Sequence, residues 1–222
     1  MRRLFILVIA ILIAIPSMAQ KPKFGGSYYD CRLAAHLREG MPQNAVIWFG
    51  DSITEQGWWN MLSKEKNMVN RAIGGDNTYG MLHRLPLYLD ASPRKIFIMA
   101  GINDISANYP VADVIENISK MIDLIHEKAP ACEIYIQSAV TPNNEVLAYD
   151  YIKNKQAQVK ELNARLEQLC KYKSAVWVDI APLLHNEQGE LRVDLTKDGI
   201  HIHPEAYVIW VDYLKKMKYL RK

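Results

Sequence analysis

Five short runs rich in branched or aromatic apolar residues, 45–49, 68–69, 96–100, 134–136 and 175–178, are separated for the most part by longer stretches with helical periodicity. Few architectures accept such an alternation. Strands that feed helices line up in parallel and bury both faces, so the chain predicts a three-layer α/β fold with a five-stranded parallel sheet flanked by helices. The clearest helical stretch is 150–172, where Ile152, Val159, Leu162, Leu166 and Leu169 recur on one face. A second covers 111–128, with Val114, Ile118, Ile122 and Ile125 inward and Pro130 marking its end. A last one starts at Pro204, a favoured first-turn proline, and runs towards Leu220. Weaker helices are expected near 32–37, 55–62 and 78–89. Nothing repeats and no low-complexity linker occurs, so residues 20–222 read as one domain. The basic residues after 214 alternate with Met217, Tyr219 and Leu220, which marks a solvated helix face.

The first residues, Met1-Arg2-Arg3, an apolar run to Pro16 and then Ser17-Met18-Ala19, have the three-part pattern of an export signal, with cleavage expected after Ala19. The run is shorter than the roughly 20 residues that span a bilayer, so no membrane attachment is expected once residues 1–19 are removed. Their loss takes Arg2 and Arg3 with it and lowers the formal charge from +3 to +1. Bulk charge therefore gives no reason to expect nucleic acid or an anionic surface as partner. An exported protein, periplasmic or secreted, is the expectation. Cys31, Cys132 and Cys170 allow at most one disulfide, and a Cys31–Cys170 pairing stays open.

Four stretches carry chemistry: Gly50-Asp51-Ser52, Gly74-Gly75-Asp76, Gly101-Ile102-Asn103-Asp104 and Asp198-Gly199-Ile200-His201. The first three follow predicted strands, and the fourth precedes the last helix. In an open α/β sheet, ligands bind at the carboxyl ends of the strands, where strand order reverses. Alone, Gly-Asp-Ser is turn and cap chemistry. A serine hydroxyl becomes a useful nucleophile only when an imidazole takes its proton and an acceptor holds that imidazole. Asp198 and His201 supply both, three residues apart in a glycine-containing loop. His203, two residues on, competes on spacing, but Asp198 is better placed for His201, which leaves His203 a role at the pocket rim or helix start. His36, His83, His126 and His185 lack a partner pattern and read as surface or helix residues.

Attack on an ester carbonyl puts negative charge on oxygen, and prearranged donors stabilise it. The backbone N–H of Ser52, that of Gly75 and the amide of Asn103 would emerge at the same sheet edge. No His, Cys, Asp or Glu cluster beyond His201 and His203 has the spacing of a metal site, so no metal is expected.

With these residues in view, the chain resembles the SGNH, or GDSL-like, hydrolase family over about residues 45–215. The resembling blocks are Phe49-Gly50-Asp51-Ser52-Ile53-Thr54, Asn70-Arg71-Ala72-Ile73-Gly74-Gly75-Asp76, Gly101-Ile102-Asn103-Asp104 and Asp198 with His201. Two positions depart from the pattern: Ile53 stands where the family label has leucine, and Ala72 where many relatives carry glycine. The Gly-Gly-Asp and Asp-Gly-Ile-His-Ile segments look most like the branch with platelet-activating-factor acetylhydrolase subunits and bacterial carbohydrate acetylesterases. The resemblance implies a flavodoxin-like five-stranded sheet, no cofactor, Ser52 as nucleophile, Asp198 and His201 as its partners, and Ser52, Gly75 and Asn103 as oxyanion donors.

The expectation is an exported serine esterase acting on small acyl esters, acetyl above all, of a small molecule or a glycan. Trp58, Trp59 and Tyr79 could wall a sugar or acyl subsite, although core packing is the commoner fate of such rings. Two other readings use the same residues: an acyltransferase in which a sugar replaces water, and a carbohydrate-binding protein with a vestigial triad.

Overall fold

The computed structural model describes residues 24–221; the segment read as an export signal, 1–19, lies outside them. In chain order the elements are α1 (Ser27–Glu39), β1 (Val46–Gly50), α2 (Ser52–Glu55), α3 (Trp59–Leu62), β2 (Met68–Asn70), α4 (Thr78–Arg84), α5 (Pro86–Leu89), β3 (Lys95–Met99), α6 (Ile102–Ser106), α7 (Val111–Lys128), β4 (Glu133–Gln137), α8 (Gln156–Tyr172), β5 (Val176–Val178), α9 (Ala181–Leu184) and α10 (Pro204–Lys216). The strands form one parallel sheet in the order β2-β1-β3-β4-β5. This is the flavodoxin-like doubly wound arrangement, in which strand order reverses between β1 and β3.

Both faces of the sheet are covered, and adjacent residues of β1 show it, because successive side chains point to opposite sides. Trp48 stacks on Trp59 of α3 at 3.5 Å between ring centroids and meets Trp210 of α10 edge-on. Phe49 points the other way, against Tyr88 of α5 and under the Arg84 guanidinium of α4. Such ring pairs each add about 0.5–1.5 kcal/mol beyond area burial.

Helix α7 forms as its pattern predicts, with Val114, Ile118, Ile122 and Ile125 fully buried. The expected helix over 150–172 is shorter. Asn154 takes a φ of 59°, which a right-handed helix cannot contain, so α8 begins at Gln156 and Ile152 is buried from a separate 3₁₀ turn. The expected 55–62 helix splits at Gln56-Gly57-Trp58 into α2 and α3, and 78–89 splits before Pro86. The last helix stops at Lys216, ahead of Lys218 at φ 64°. Helix α1 is longer than expected; it buries only Tyr29 and His36, which leaves almost no apolar stripe to read.

All three cysteines are free, so the Cys31–Cys170 pairing does not form. Among the described residues no helix is long and apolar enough to cross a membrane.

Candidate active site

Ser52 lies at the carboxyl end of β1, at the point of strand-order reversal, as the first residue of α2. This four-residue helix is too short to be stable alone, and side chains hold both its ends. Asp51 caps it by accepting the N–H of Ile53 at 3.0 Å. At the other end Trp59 Nε1 donates to Thr54 O at 2.9 Å, Asn70 Nδ2 to Glu55 O at 2.9 Å, and the Tyr207 hydroxyl to Ile53 O at 2.7 Å. Trp59, one of the aromatics considered for a substrate wall, is thus a core residue.

His201 reaches Ser52 from a loop 149 positions away: Ser52 Oγ lies 2.9 Å from His201 Nε2, and His201 Nδ1 lies 2.7 Å from Asp198 Oδ2. A carboxylate only accepts, so Nδ1 carries the hydrogen and Nε2 is left to take the serine proton. Asp198 Oδ1 also accepts the backbone N–H of His201 at 2.8 Å and of Ile200 at 3.1 Å. Burial opposes ionisation of Asp198, yet these N–H donors and the imidazole prevail and hold its carboxyl below the usual range. The loop closes on itself through Thr196, whose hydroxyl donates to His201 O at 2.8 Å and accepts from Gly199 N at 2.9 Å. Gly199 sits at φ 87°, and a Cβ there would lie 2.6 Å from Leu147 Cα. The neighbouring segment packs that closely because Asn143 N and Ala148 N donate to the carbonyls of Gly199 and Asp198.

Of the other two expected oxyanion donors, Gly75 lies in the turn after β2 and Asn103 after β3. Residues 73–76 form a turn closed by Asp76 N donating to Ile73 O at 3.1 Å, with Gly75 at φ 75° in its third position, where only glycine is unstrained. A Cβ on Gly74 would sit 3.7 Å from Ser52 Cβ, so the turn abuts the hydroxyl-bearing residue. Asn103, after β3, donates one Nδ2 hydrogen to Asp76 O at 2.8 Å and keeps a second for another acceptor.

The aspartates of the first three stretches point away from this surface and into the protein. Asp51, Asp76 and Asp104 are each at most 5% exposed. Burial pushes Asp51 up to about 7 and Asp76 up to about 6, and raises Asp104 as well. Arg84, fully buried, offsets part of that charge: its Nε meets Asp76 Oδ2 at 2.8 Å, Nη2 donates to Gly50 O at 3.1 Å, and Nη1 donates to Arg71 O. Thr78 donates to Asp104 through its hydroxyl at 2.6 Å. Sequence reading missed this layer. An arginine inside the apolar pattern of 78–89 was the available signal, since a buried cation demands a partner.

His203 takes the helix-start position expected of it, as the cap residue of α10. His36 is a helix residue of α1 buried against the Tyr88 hydroxyl, and the partly buried His185 accepts through Nε2 from Thr141 N at 3.0 Å. Burial keeps both neutral, lowering them to about 3 and about 4. Tyr149 was not foreseen either. Its hydroxyl donates to Asp198 Oδ2 at 3.3 Å, its ring stands edge-on to His201, and Tyr151 lies beside it. Trp58 is half exposed, while the Tyr79 hydroxyl is bound to Asp113 at 2.9 Å. Among the described residues no group of three or more His, Cys, Asp or Glu could hold a metal ion.

Residues 48–209 match the GDSL-like lipase/acylhydrolase family. A solved structure from Streptococcus pneumonia, provisionally described as a platelet activating factor, is similar with a TM-score of 0.74 and 27% identity over 85% of this chain and 89% of that one. A GDSL-like lipase from Bacteroides thetaiotaomicron is similar with a TM-score of 0.71 and 27% identity over 86% of this chain and 97% of that one. An N-acylneuraminate cytidylyltransferase of Streptococcus agalactiae is 28% identical over 159 residues, 68% of this chain but 36% of that protein. The chain thus spans about a third of the length of that curated relative. With the family match covering most of the sequence, the chain belongs to the GDSL-like lipase/acylhydrolase family.

Proposed function

We propose that this protein is an exported serine esterase that removes small acyl groups, acetyl first among them, from a sugar or similar alcohol. The observation that carries the reading is the unbroken chain Ser52 Oγ, His201, Asp198, at 2.9 and 2.7 Å. Ser52 Oγ attacks the acyl carbon while its proton passes to His201 Nε2. The carbonyl electrons move onto oxygen, which the N–H groups of Ser52 and Gly75 and the amide of Asn103 receive. Collapse breaks the bond to the alcohol, which takes the proton from His201. Water then repeats the sequence on the acyl-serine, releasing the acid and restoring the hydroxyl. Asp198 stays ionised throughout and holds the ring.

Two features support a short acyl group and a flat alcohol. Ile53, Met99, Ala100, Ile102, Ala139 and Val140 leave no room for even a water-sized group between them, so no channel for a long chain opens among them. Tyr149, beside His201, and Tyr151, beside Tyr149, offer rings against which a sugar can lie. The test is hydrolysis of p-nitrophenyl esters from acetate to octanoate by the mature form. Acetate should be cleaved fastest, and Ser52→Ala should lose at least about 10³-fold. Equal rates in the wild type and Ser52→Ala would reject the nucleophile, and a preference for octanoate would reject the acyl size.

A further inference from the structure

Three hydrogen-bond donors converge on the carboxylate of Glu55, one turn beyond Ser52 on α2, and two of them come from a helix outside the family-matched segment. Glu55 Oε1 accepts from Arg32 Nε at 2.6 Å. Its other oxygen accepts the Tyr28 hydroxyl at 3.0 Å and the backbone N–H of Gly74 at 2.8 Å. The Glu55 side chain is 12% exposed, against 36% for Arg32. A Cβ on Gly74 would come within 2.8 Å of Glu55 Oε2, so the carboxylate fills the space that a larger residue would need.

The Gly74 N–H lies one peptide before the Gly75 N–H, the donor assigned to the oxyanion. Two glycines in succession have wide backbone freedom, and a turn built from them needs an outside restraint to aim its amides. A carboxylate is a strong one, since bonds from N–H to an ionised acceptor are about twice as strong as neutral ones. Left unpaired, however, the same negative charge would oppose a developing oxyanion nearby. Arg32 supplies the compensating positive charge on the far side of Glu55.

We propose that Glu55 is a positioning residue for the oxyanion turn, and that α1 acts through Arg32 and Tyr28 as the strut that holds Glu55 in place. This rests on the reading of Gly75 as an oxyanion donor. Glu55 touches no reacting atom; it acts through the Gly74 peptide. Helix α1, which precedes the family-matched region, is on this view part of what the reaction needs.

The experiment measures kcat, KM and the pH profile with p-nitrophenyl acetate. Glu55→Ala should lower kcat about 10- to 100-fold, less than deleting a donor outright, with KM within about twofold and the pH profile unmoved because the imidazole side is untouched. Glu55→Gln should recover part of the loss, since its amide oxygen still accepts the Gly74 N–H. Arg32→Ala and Tyr28→Phe alter partly exposed side chains that the fold can lose, and each should lower kcat about three- to tenfold. Arg32→Ala added to Glu55→Ala should cost nothing further, because both act through one carboxylate. Wild-type kcat in Glu55→Ala, additive losses in the double variant, or no recovery in Glu55→Gln would overturn the proposal. A wild-type rate that survives Ser52→Ala would instead reject the assignment of the site, whereas Ser52-dependent hydrolysis indifferent to Glu55 would sink only this inference.

Discussion

The proton-handling side of the site is built from one loop, whereas the side read as facing the oxyanion is built from three separate segments. Asp198 and His201 lie three residues apart, and Asp198 fixes the loop by accepting its own backbone N–H groups as well as the imidazole. On the reading proposed above, the oxyanion side takes Ser52 and Glu55 from α2, Gly75 from the turn after β2 and Asn103 from the start of α6 after β3. Its parts meet only because the parallel sheet brings the carboxyl ends of β2, β1 and β3 side by side. One side is local chemistry. The other is topology, and buried polar groups lie beneath it: Asp76 paired with Arg84, Asp104 with Thr78, and Asp51 capping α2.

Substitutions can break that contrast. His201→Ala should abolish the proton relay and cost at least about 10³-fold in kcat, with Ser52 no longer labelled by a fluorophosphonate. Asn103→Ala should cost about 10²- to 10³-fold in kcat with a smaller change in KM, since its second amide hydrogen serves the transition state more than the bound ester. If Asn103→Ala changed KM alone, the distinction between the two sides would be lost.

Smaller effects sharpen it. Tyr149→Phe removes only a 3.3 Å bond to Asp198 and should lower kcat/KM about two- to threefold, read from initial rates. A pH signature in stability belongs to the buried side. Burial raises Asp51 from 3.8 to about 7, so the folded state holds this proton more tightly than the unfolded chain does. The resulting contribution is fully present below pH 3.8 and is lost as pH rises through about 7, at up to about 1.4 kcal/mol per pH unit for one proton. Asp76, raised to about 6, acts in the same sense. Burial lowers His36 and His185 and opposes this trend over the same range, so the signature is a difference: from pH 5 to 8 the thermal stability of the wild type should fall relative to that of Asp51→Asn, whose amide oxygen still caps α2. An unchanged slope in Asp51→Asn would remove Asp51 from the account.

The unequal legibility of the two sides has the same origin. The Asp198-to-His201 spacing exposes a pair that works at short range, and the strand runs before Ser52, Gly75 and Asn103 place those residues at one sheet edge. Helix α7 was readable because four apolar residues share its buried face. The full extent of helix α1 and its link to Glu55 were not, because the contacts are polar, lie 19 to 51 residues apart in sequence and leave no period. The split of 55–62 falls at Gly57, where a Cβ would collide with the Trp59 ring, and the late start of α8 follows Asn154 with its left-handed φ, choices fixed by tertiary packing around Trp59 and Ile152.

The measurement closest to the central claim is a crystal structure of the protein phosphonylated by a small fluorophosphonate. The account predicts phosphorus bonded to Ser52 Oγ, with one phosphonyl oxygen about 2.7–3.1 Å from the N–H groups of Ser52 and Gly75 and from Asn103 Nδ2. Phosphorus on another residue, or an oxygen turned away from Gly75 and Asn103 into solvent, would contradict it.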